Sequence, residues 1–375
     1  MKYRSFGKTD IKVSALGFGA MRLPVVDNDY GRINEDEAIK MIRFAIDHGV
    51  NYIDTAWTYH QENSEVVVGK ALKDGYRERV KIATKSPVWL LEKKSDLDKF
   101  LEKQLKKLDS HFIDFYLMHA LDAERWKKLL DLDLFQWIEK VKKEGKIKYI
   151  GFSFHDKFEI FKEIVDSYEW DFCQIQYNYL DTEYQAGKKG LQYAYNKGLG
   201  VVIMEPLRGG ALAGQPPAEI AELMRKSNLQ RSITDLGLQW LWNQKEVSVV
   251  LSGMSTMEQL KENINSADNS GTDILIEEEL TFICIISEKM RGPVPCTRCS
   301  YCMPCPAGVD IPQNFFLYNE AVLFKKKEEK MKRYNELEGK AEKCVNCLKC
   351  EDICPQNITV SSELKEVSLY FKGEK

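Results

Sequence analysis

The sequence predicts an α/β chain: a (β/α)8 TIM barrel followed by a small, mainly α-helical domain. Three observations carry this. Short β-rich runs alternate with longer segments of helical period from residue 11 onward. The runs number eight in roughly 250 residues, whereas a doubly wound sheet more often stops at five to seven strands. Eight of the ten cysteines then fall in two tight groups after residue 295, where the alternation has ended.

The elements follow in order. The first ten residues, with apolar and polar types mixed around GKTD, predict a small hairpin that caps the barrel floor. Strands are expected at SALGFGA (14 to 20), VNYID (50 to 54), VKIATK (80 to 85), IDFYLMH (113 to 119), IKYIGFS (147 to 153), DFCQIQ (171 to 176), GVVIME (200 to 205) and VSVVLSG (247 to 253). Between them EDEAIKMIRFAIDHG, SEVVVGKAL, SDLDKFLEKQLKKL and TDLGLQWLWNQ repeat apolar residues at three- and four-residue spacing, as amphipathic helices do. ILIEEELTFICIISEKM reads as one more helix, and RGPVP breaks the pattern. The expected domains are 1–285, the barrel, and 286–375, a domain with two cysteine groups joined by a charged helical connector from about 313 to 340.

Composition excludes several classes. Hydrophobic residues near 44% and charged residues near 30% over 375 residues describe a globular protein with ample core material. A net charge of −3 carries no nucleic-acid footprint and no membrane-surface patch. The N-terminus MKYRSFGKTDIKVS lacks an apolar targeting segment, and no run approaches the ~18 apolar residues of a membrane span. A cytoplasmic location is expected. The clustered cysteines fit metal ligation in a reducing compartment better than a disulfide framework.

In such a barrel chemistry gathers at the C-terminal strand ends. The second predicted strand ends in Asp54, the third in Lys85, the fourth in His119 and the fifth in Ser153; the sixth carries Gln174. Singly, each has a plain explanation, since a strand-end Asp caps helices and a lone His is often a satisfied core residue. Together, Asp, Lys and His at three successive strand ends converge on one mouth, with Tyr59 from the loop DTAWTYH beside them. Trp57, Trp89 and Met21 are candidates to line that mouth, or equally to pack the barrel.

IDTAWTY, IATK, FYLMH, IGFS, QIQYN and MEPLRGG resemble the successive signature segments of the aldo-keto reductase family, over about residues 1 to 270. The resemblance implies an NAD(P)H-dependent oxidoreductase that reduces a carbonyl, or oxidises the alcohol. Its catalytic tetrad falls on Asp54, Tyr59, Lys85 and His119, and its carboxamide contacts on Ser153 and Gln174. Those residue types suit the reaction. Hydride addition leaves an oxyanion that needs a proton, and a phenol with an unperturbed pKa near 10 yields it reluctantly at neutral pH. An ammonium beside the phenol lowers that barrier, Asp54 fixes the ammonium, and a neutral His119 orients the substrate oxygen.

The chain departs from the family on the cofactor side. Where the family commonly has Asn after the strand-five Ser, this chain has Phe154, with His155 one place further on. Met204 stands where many members place an aromatic ring, which substitutes a thioether contact for stacking. SGMSTMEQLKENINSAD resembles the adenosine-side loop and helix, implying contacts from Gly253, Ser255, Gln259, Glu262 and Asn263. Gln259 stands where NADPH-preferring relatives often carry Arg, and Lys261 is close by, so the choice between NADP and NAD stays open.

CVNCLKCEDICP (344 to 355) has the C-x2-C-x2-C-x3-C-P spacing of bacterial [4Fe-4S] ferredoxins, and CTRCSYCMPCP (296 to 306) is one residue shorter in its last interval. In two-cluster ferredoxins the fourth cysteine of each group serves the other cluster. Cys296, Cys299, Cys302 and Cys354 are therefore assigned to one cluster, and Cys344, Cys347, Cys350 and Cys305 to the other. The long connector suits an α-helical dicluster ferredoxin-like domain; the competing reading is four-cysteine structural zinc. The expected partners are a small carbonyl or alcohol substrate and a ferredoxin or other redox protein, for electron transfer or docking. An alternative is a one-electron protein that couples such a partner to a barrel-bound substrate or flavin. It meets an obstacle, because nicotinamide moves two electrons as hydride and clusters move one.

Overall fold

The computed structural model describes residues 1–375 except 215, 228, 230, 291 and 375. By contact density the chain divides into two compact units, Met1–Pro206 with Leu238–Leu275, and Leu207–Gly237 with Ile276–Lys375.

The first unit is built on a closed parallel barrel. Its strands are β3 (Leu16–Gly19), β4 (Tyr52–Asp54), β5 (Lys81–Ser86), β6 (Ile113–Leu121), β7 (Ile147–Phe154), β8 (Phe172–Gln176), β9 (Gly200–Met204) and β10 (Val249–Gly253). They pair in sequence order, and β10 closes on β3. Every residue of β6 is buried, as expected where helices cover one face of a parallel strand and the barrel interior the other. The helices obey local rules. In Glu35–Asp47, Asn34 caps the first turn, three acidic residues occupy that turn, and Ala38, Met41, Ile42, Ala45 and Ile46 form the buried stripe.

Two short antiparallel strands, β1 (Tyr3–Ser5) and β2 (Lys12–Ser14), precede the barrel and make the expected hairpin. Phe6, between them, is fully buried in a cluster with Tyr52, Phe115, Phe172, Val202 and Val249. Its ring lies 4.6 Å from Phe115 and 5.5 Å from Phe172, so the hairpin plugs the barrel interior with an aromatic side chain.

The second unit has its own core. Phe315 and Leu317 from the helix Ile311–Leu323, Tyr334 from Lys327–Glu336, and Leu364, Val367 and Phe371 from Val360–Lys372 pack together, with Tyr334 and Phe371 stacked at 4.3 Å. The connector between the cysteine groups thus forms two helices. Asp310 caps the first of them through Gln313 N–H at 3.1 Å. Among the described residues, no helix is long and apolar enough to cross a membrane.

Candidate functional site

Parallel pairing brings the strand-end residues to one mouth. Asp54 is the last residue of β4, Lys85 the penultimate residue of β5, and His119 lies two places before the end of β6. Tyr59 sits in the following loop, where His60, Gln61 and Glu62 take left-handed backbone angles in succession. That loop is anchored from both sides: His60 Nε2 accepts from Leu23 N–H at 3.1 Å, and His60 Nδ1 bonds the Tyr30 carbonyl at 2.8 Å. Tyr59 is only 6% exposed.

Lys85 is the hub. Its buried ammonium donates to Asp54 Oδ1 at 2.7 Å and Oδ2 at 2.8 Å, to the Thr55 carbonyl at 2.8 Å, and to Tyr59 Oη at 3.3 Å. Burial pushes the lysine down and the carboxyl up, and their mutual attraction opposes both shifts. The bidentate contact and the third acceptor favour the ionised pair, because a neutral amine would leave two carboxylate oxygens without a charge partner. The arrangement sets one cation against one phenol oxygen.

His119 lies edge-on to Tyr59, with centroids 6.2 Å apart, and 5.1 Å from Trp89. Burial holds its imidazole well below the usual histidine range, assisted by Lys85, His155 and Arg125. It is therefore neutral at pH 7. Of the three apolar candidates, Trp89 lies beside the tetrad residues, whereas Trp57 packs on Phe100 and Lys107 of the helix Ser95–Lys107.

The cofactor candidates fall on the same rim. Ser153 and Gln174 are paired neighbours on β7 and β8. Ser153 Oγ accepts Ala120 N–H at 2.7 Å, where β6 slips register and Ala120 takes φ 56°, so its hydroxyl proton is directed elsewhere. Gln174 Nε2 lies 3.6 Å from Met204 Sδ, while Gln174 Oε1 is buried with no hydrogen-bond partner among the described residues. A buried orphan acceptor is what a carboxamide N–H would satisfy, and in this respect the rim fits a nicotinamide. Phe154 is buried, and His155 is pushed down to about 4 by burial.

Gly253 ends β10 against the Arg22 side chain. Ser255 Oγ donates to the Arg22 carbonyl at 2.9 Å. Gln259 Oε1 turns back to accept Ser255 N–H at 2.8 Å and Thr256 caps the helix Met257–Asp268, so the Gln259 carbonyl oxygen is occupied locally. Asn263 is buried and donates to Ser252 Oγ at 2.9 Å, and Glu262 is exposed.

In the second unit Cys302 is raised by burial and then by Cys299, Cys296 and Cys354 close by. Cys350 is pushed up to about 11, by burial first, with Cys344 and Cys305 among its neighbours. The fold therefore brings Cys354 to the first group and Cys305 to the second. Cys347 is the exposed member of its set. Two cysteine sets, each mixing members of both sequence groups, suit iron–sulfur clusters in donor chemistry. Among the described residues no group of three His, Cys, Asp or Glu closes at single-ion range. Cys173 is fully buried in β8, its thiol raised by desolvation, and takes no part.

Some contributors carry little sequence signal. The Thr55 carbonyl on Lys85 and the Arg22 packing on Gly253 depend on how two segments meet. Arg125, whose guanidinium lies 5.8 Å from the Trp89 ring centroid, reads in the sequence as an ordinary surface helix residue.

A closed barrel with an acid, a lysine, a phenol and an imidazole at its mouth, in a chain that also carries two groups of four cysteines, defines an oxidoreductase with an iron–sulfur domain. Residues 15–274 match the aldo/keto reductase family model, and the chain belongs to that family. Residues 295–359 match the 4Fe-4S dicluster domain. The chain is 28% identical over 317 residues to the L-galactose dehydrogenase of Arabidopsis thaliana, covering 78% of this chain and 96% of that one. It is 27% identical over 306 residues to the NADH-specific methylglyoxal reductase of Escherichia coli strain K12, covering 70% and 93%. Among solved structures, the aldo-keto reductase AKR11C1 from Bacillus halodurans in its holo form superposes with a TM-score of 0.64 at 28% identity, covering 76% of this chain and 96% of that one.

Proposed function

We propose that the barrel reduces a carbonyl, or oxidises the corresponding alcohol, with NAD or NADP, and that Tyr59 is the general acid and base. The observation that carries this is the Lys85 ammonium, shared between the Asp54 carboxylate and the Tyr59 oxygen. When bound, the nicotinamide supplies or accepts the hydride. Ser153 and Gln174 would hold its carboxamide, Met204 would make a thioether contact in place of ring stacking, and Gly253, Ser255, Gln259, Glu262 and Asn263 would hold its adenosine side.

The protein's own steps are few. The neutral His119 donates a hydrogen bond to the substrate oxygen and fixes its direction. Tyr59 gives its proton to that oxygen as negative charge builds there, and Lys85 stabilises the phenolate left behind. Asp54 keeps Lys85 in place and ionised. Trp89 supplies an apolar wall for the substrate's body.

Cys296, Cys299, Cys302 and Cys354 would hold one [4Fe-4S] cluster, and Cys344, Cys347, Cys350 and Cys305 a second. Such clusters exchange single electrons, so this domain serves electron transfer or docking with a ferredoxin or similar redox protein. Reduced thiols of this kind suit the cytoplasm. Tyr59→Phe tests the catalytic reading. Carbonyl reduction should fall at least ~10²-fold with the visible cluster absorbance unchanged, and turnover near the wild-type rate would refute the acid role.

A further inference from the structure

Behind the strand that carries Lys85, on the side facing the helices, lies a second carboxylate. Glu65, in the helix Ser64–Ala71, has no exposed surface. Its Oε1 accepts from Thr84 Oγ1 at 2.6 Å and from Gln104 Nε2 at 2.6 Å. Thr84 is the residue before Lys85, and Gln104 Nε2 also donates to the Lys85 carbonyl at 3.0 Å. The Gln104 orientation is set in turn by Tyr116, whose hydroxyl donates to Gln104 Oε1 at 2.7 Å. Glu65 Oε2 makes no hydrogen bond and faces Lys107 Nζ at 3.8 Å.

An acid this deep in a barrel wall is expensive to keep. A Gln at the site would satisfy Thr84 and Gln104 equally well through its amide oxygen, so hydrogen bonding alone gives no reason for a charge. Only donors approach Oε1, and Oε2 faces an ammonium, which offsets part of the burial penalty on the ionised form.

We propose that Glu65 is a positioning residue of the active site, whose carboxylate holds the Thr84–Lys85 segment and adds a second negative charge that keeps the Lys85–Tyr59 pair protonated. The inference rests on the tetrad reading above. Lys85 is wholly buried, and desolvation works against its charge; Asp54 first and Glu65 after it oppose that loss. Burial also raises Glu65 itself, while Thr84, Gln104, Lys107 and Lys85 pull it back down. The other titratable groups around the pair are Tyr52 beside Asp54, His119 across the mouth, and Tyr116 behind Glu65. All three are buried neutral, so the negative charges that act on Lys85 come from Asp54 and Glu65.

The sign of the effect is fixed. Whether the pair loses its proton from lysine or from phenol, a nearby negative charge makes the loss harder. Removing it must move the alkaline limb of the carbonyl-reduction profile to lower pH.

The test is the pH dependence of kcat for reduction of methylglyoxal or another accepted aldehyde, in the full chain with clusters in place. Glu65→Gln should shift the midpoint of the alkaline limb down by about one pH unit, with little change in KM. Glu65→Asp keeps the charge but withdraws it from Thr84 and Gln104, and should leave the midpoint within about 0.3 unit of wild type. If the Gln variant does not fold, Glu65→Met, neutral and close in size, carries the same expectation of a lowered limb. An unmoved limb in Glu65→Gln, or a limb displaced as far in Glu65→Asp, would overturn the proposal and leave Glu65 a fold-stabilising residue. Failure of the tetrad reading looks different: the wild-type limb would persist in Tyr59→Phe.

Discussion

His119 and His155 show how burial turns a common residue into a fixed chemical state. Both imidazoles are held below the ordinary histidine value, His155 at about 4, because the charged form would lose its solvent. A buried His that stays neutral in the folded state binds fewer protons than the unfolded chain between its two pKa values. Its contribution to stability is therefore complete above pH ~6.5 and is lost as pH falls from there toward the folded value. For His155, which is partly buried, the window runs from ~6.5 to about 4. His155→Asn should flatten the fall of Tm across that interval, measured by thermal melts in matched buffers. A slope equal to the wild type's would show that His155 stays solvated. Catalytically, the same depression keeps His119 a hydrogen-bond donor through one nitrogen across the working range, with no change of charge near pH 6.5.

The hairpin β1–β2 shows what one element does for the barrel. Without Phe6 the aromatic cluster of Tyr52, Phe115 and Phe172 would face a void at the barrel floor. Phe6→Ala should cost about 3–5 kcal/mol, read as a drop in the urea midpoint at unchanged m. Gly7, next to it, has φ +55°, and an added Cβ would sit 2.3 Å from the Gly200 backbone nitrogen. Gly7→Ala is therefore expected to destabilise at least as much, by moving the hairpin off the floor. A milder effect than Phe6→Ala would mean that the hairpin can shift at little cost. At this scale sequence reading is effective for the barrel: alternation located all eight strands, and period located helices such as Glu35–Asp47 and Ser95–Lys107 between them. It did not reveal the final helix Val360–Lys372, whose apolar residues complete the core of the second unit. Its first residues follow the last cysteine group directly, so the motif drew attention away from the period beyond it.

For the whole molecule, the two chemistries differ in how they can be counted. A chain with two [4Fe-4S] clusters should carry about eight iron and eight sulfide after anaerobic purification, with broad visible absorbance that dithionite bleaches. Zinc with a colourless protein would overturn that reading. The mixed sets seen around Cys302 and Cys350 make a further point about assembly: each depends on cysteines separated by the whole connector. Iron loss should therefore disorder both groups together, because each set draws one member from the other group.

The sequence by itself determined the barrel, the identity of the strand-end residues and the two cysteine motifs, because strand period, strand-end position and ligand spacing are local properties. Tertiary structure decided the rest. That Lys85 meets two oxygens of Asp54, the Thr55 carbonyl and the Tyr59 phenol at once depends on the register of β4 against β5 and on a loop in left-handed conformation. That Gln174 keeps an orphan acceptor beside Met204 depends on a partner thirty residues away and on one absent from the sequence. Glu65 is the clearest case: in the segment SEVVVGKAL it stands at a helix start, and only the closing of helix on strand makes it a buried carboxyl bonded to the residue before Lys85. Burial is a property of the assembled fold, and the chemistry of a charge follows its burial.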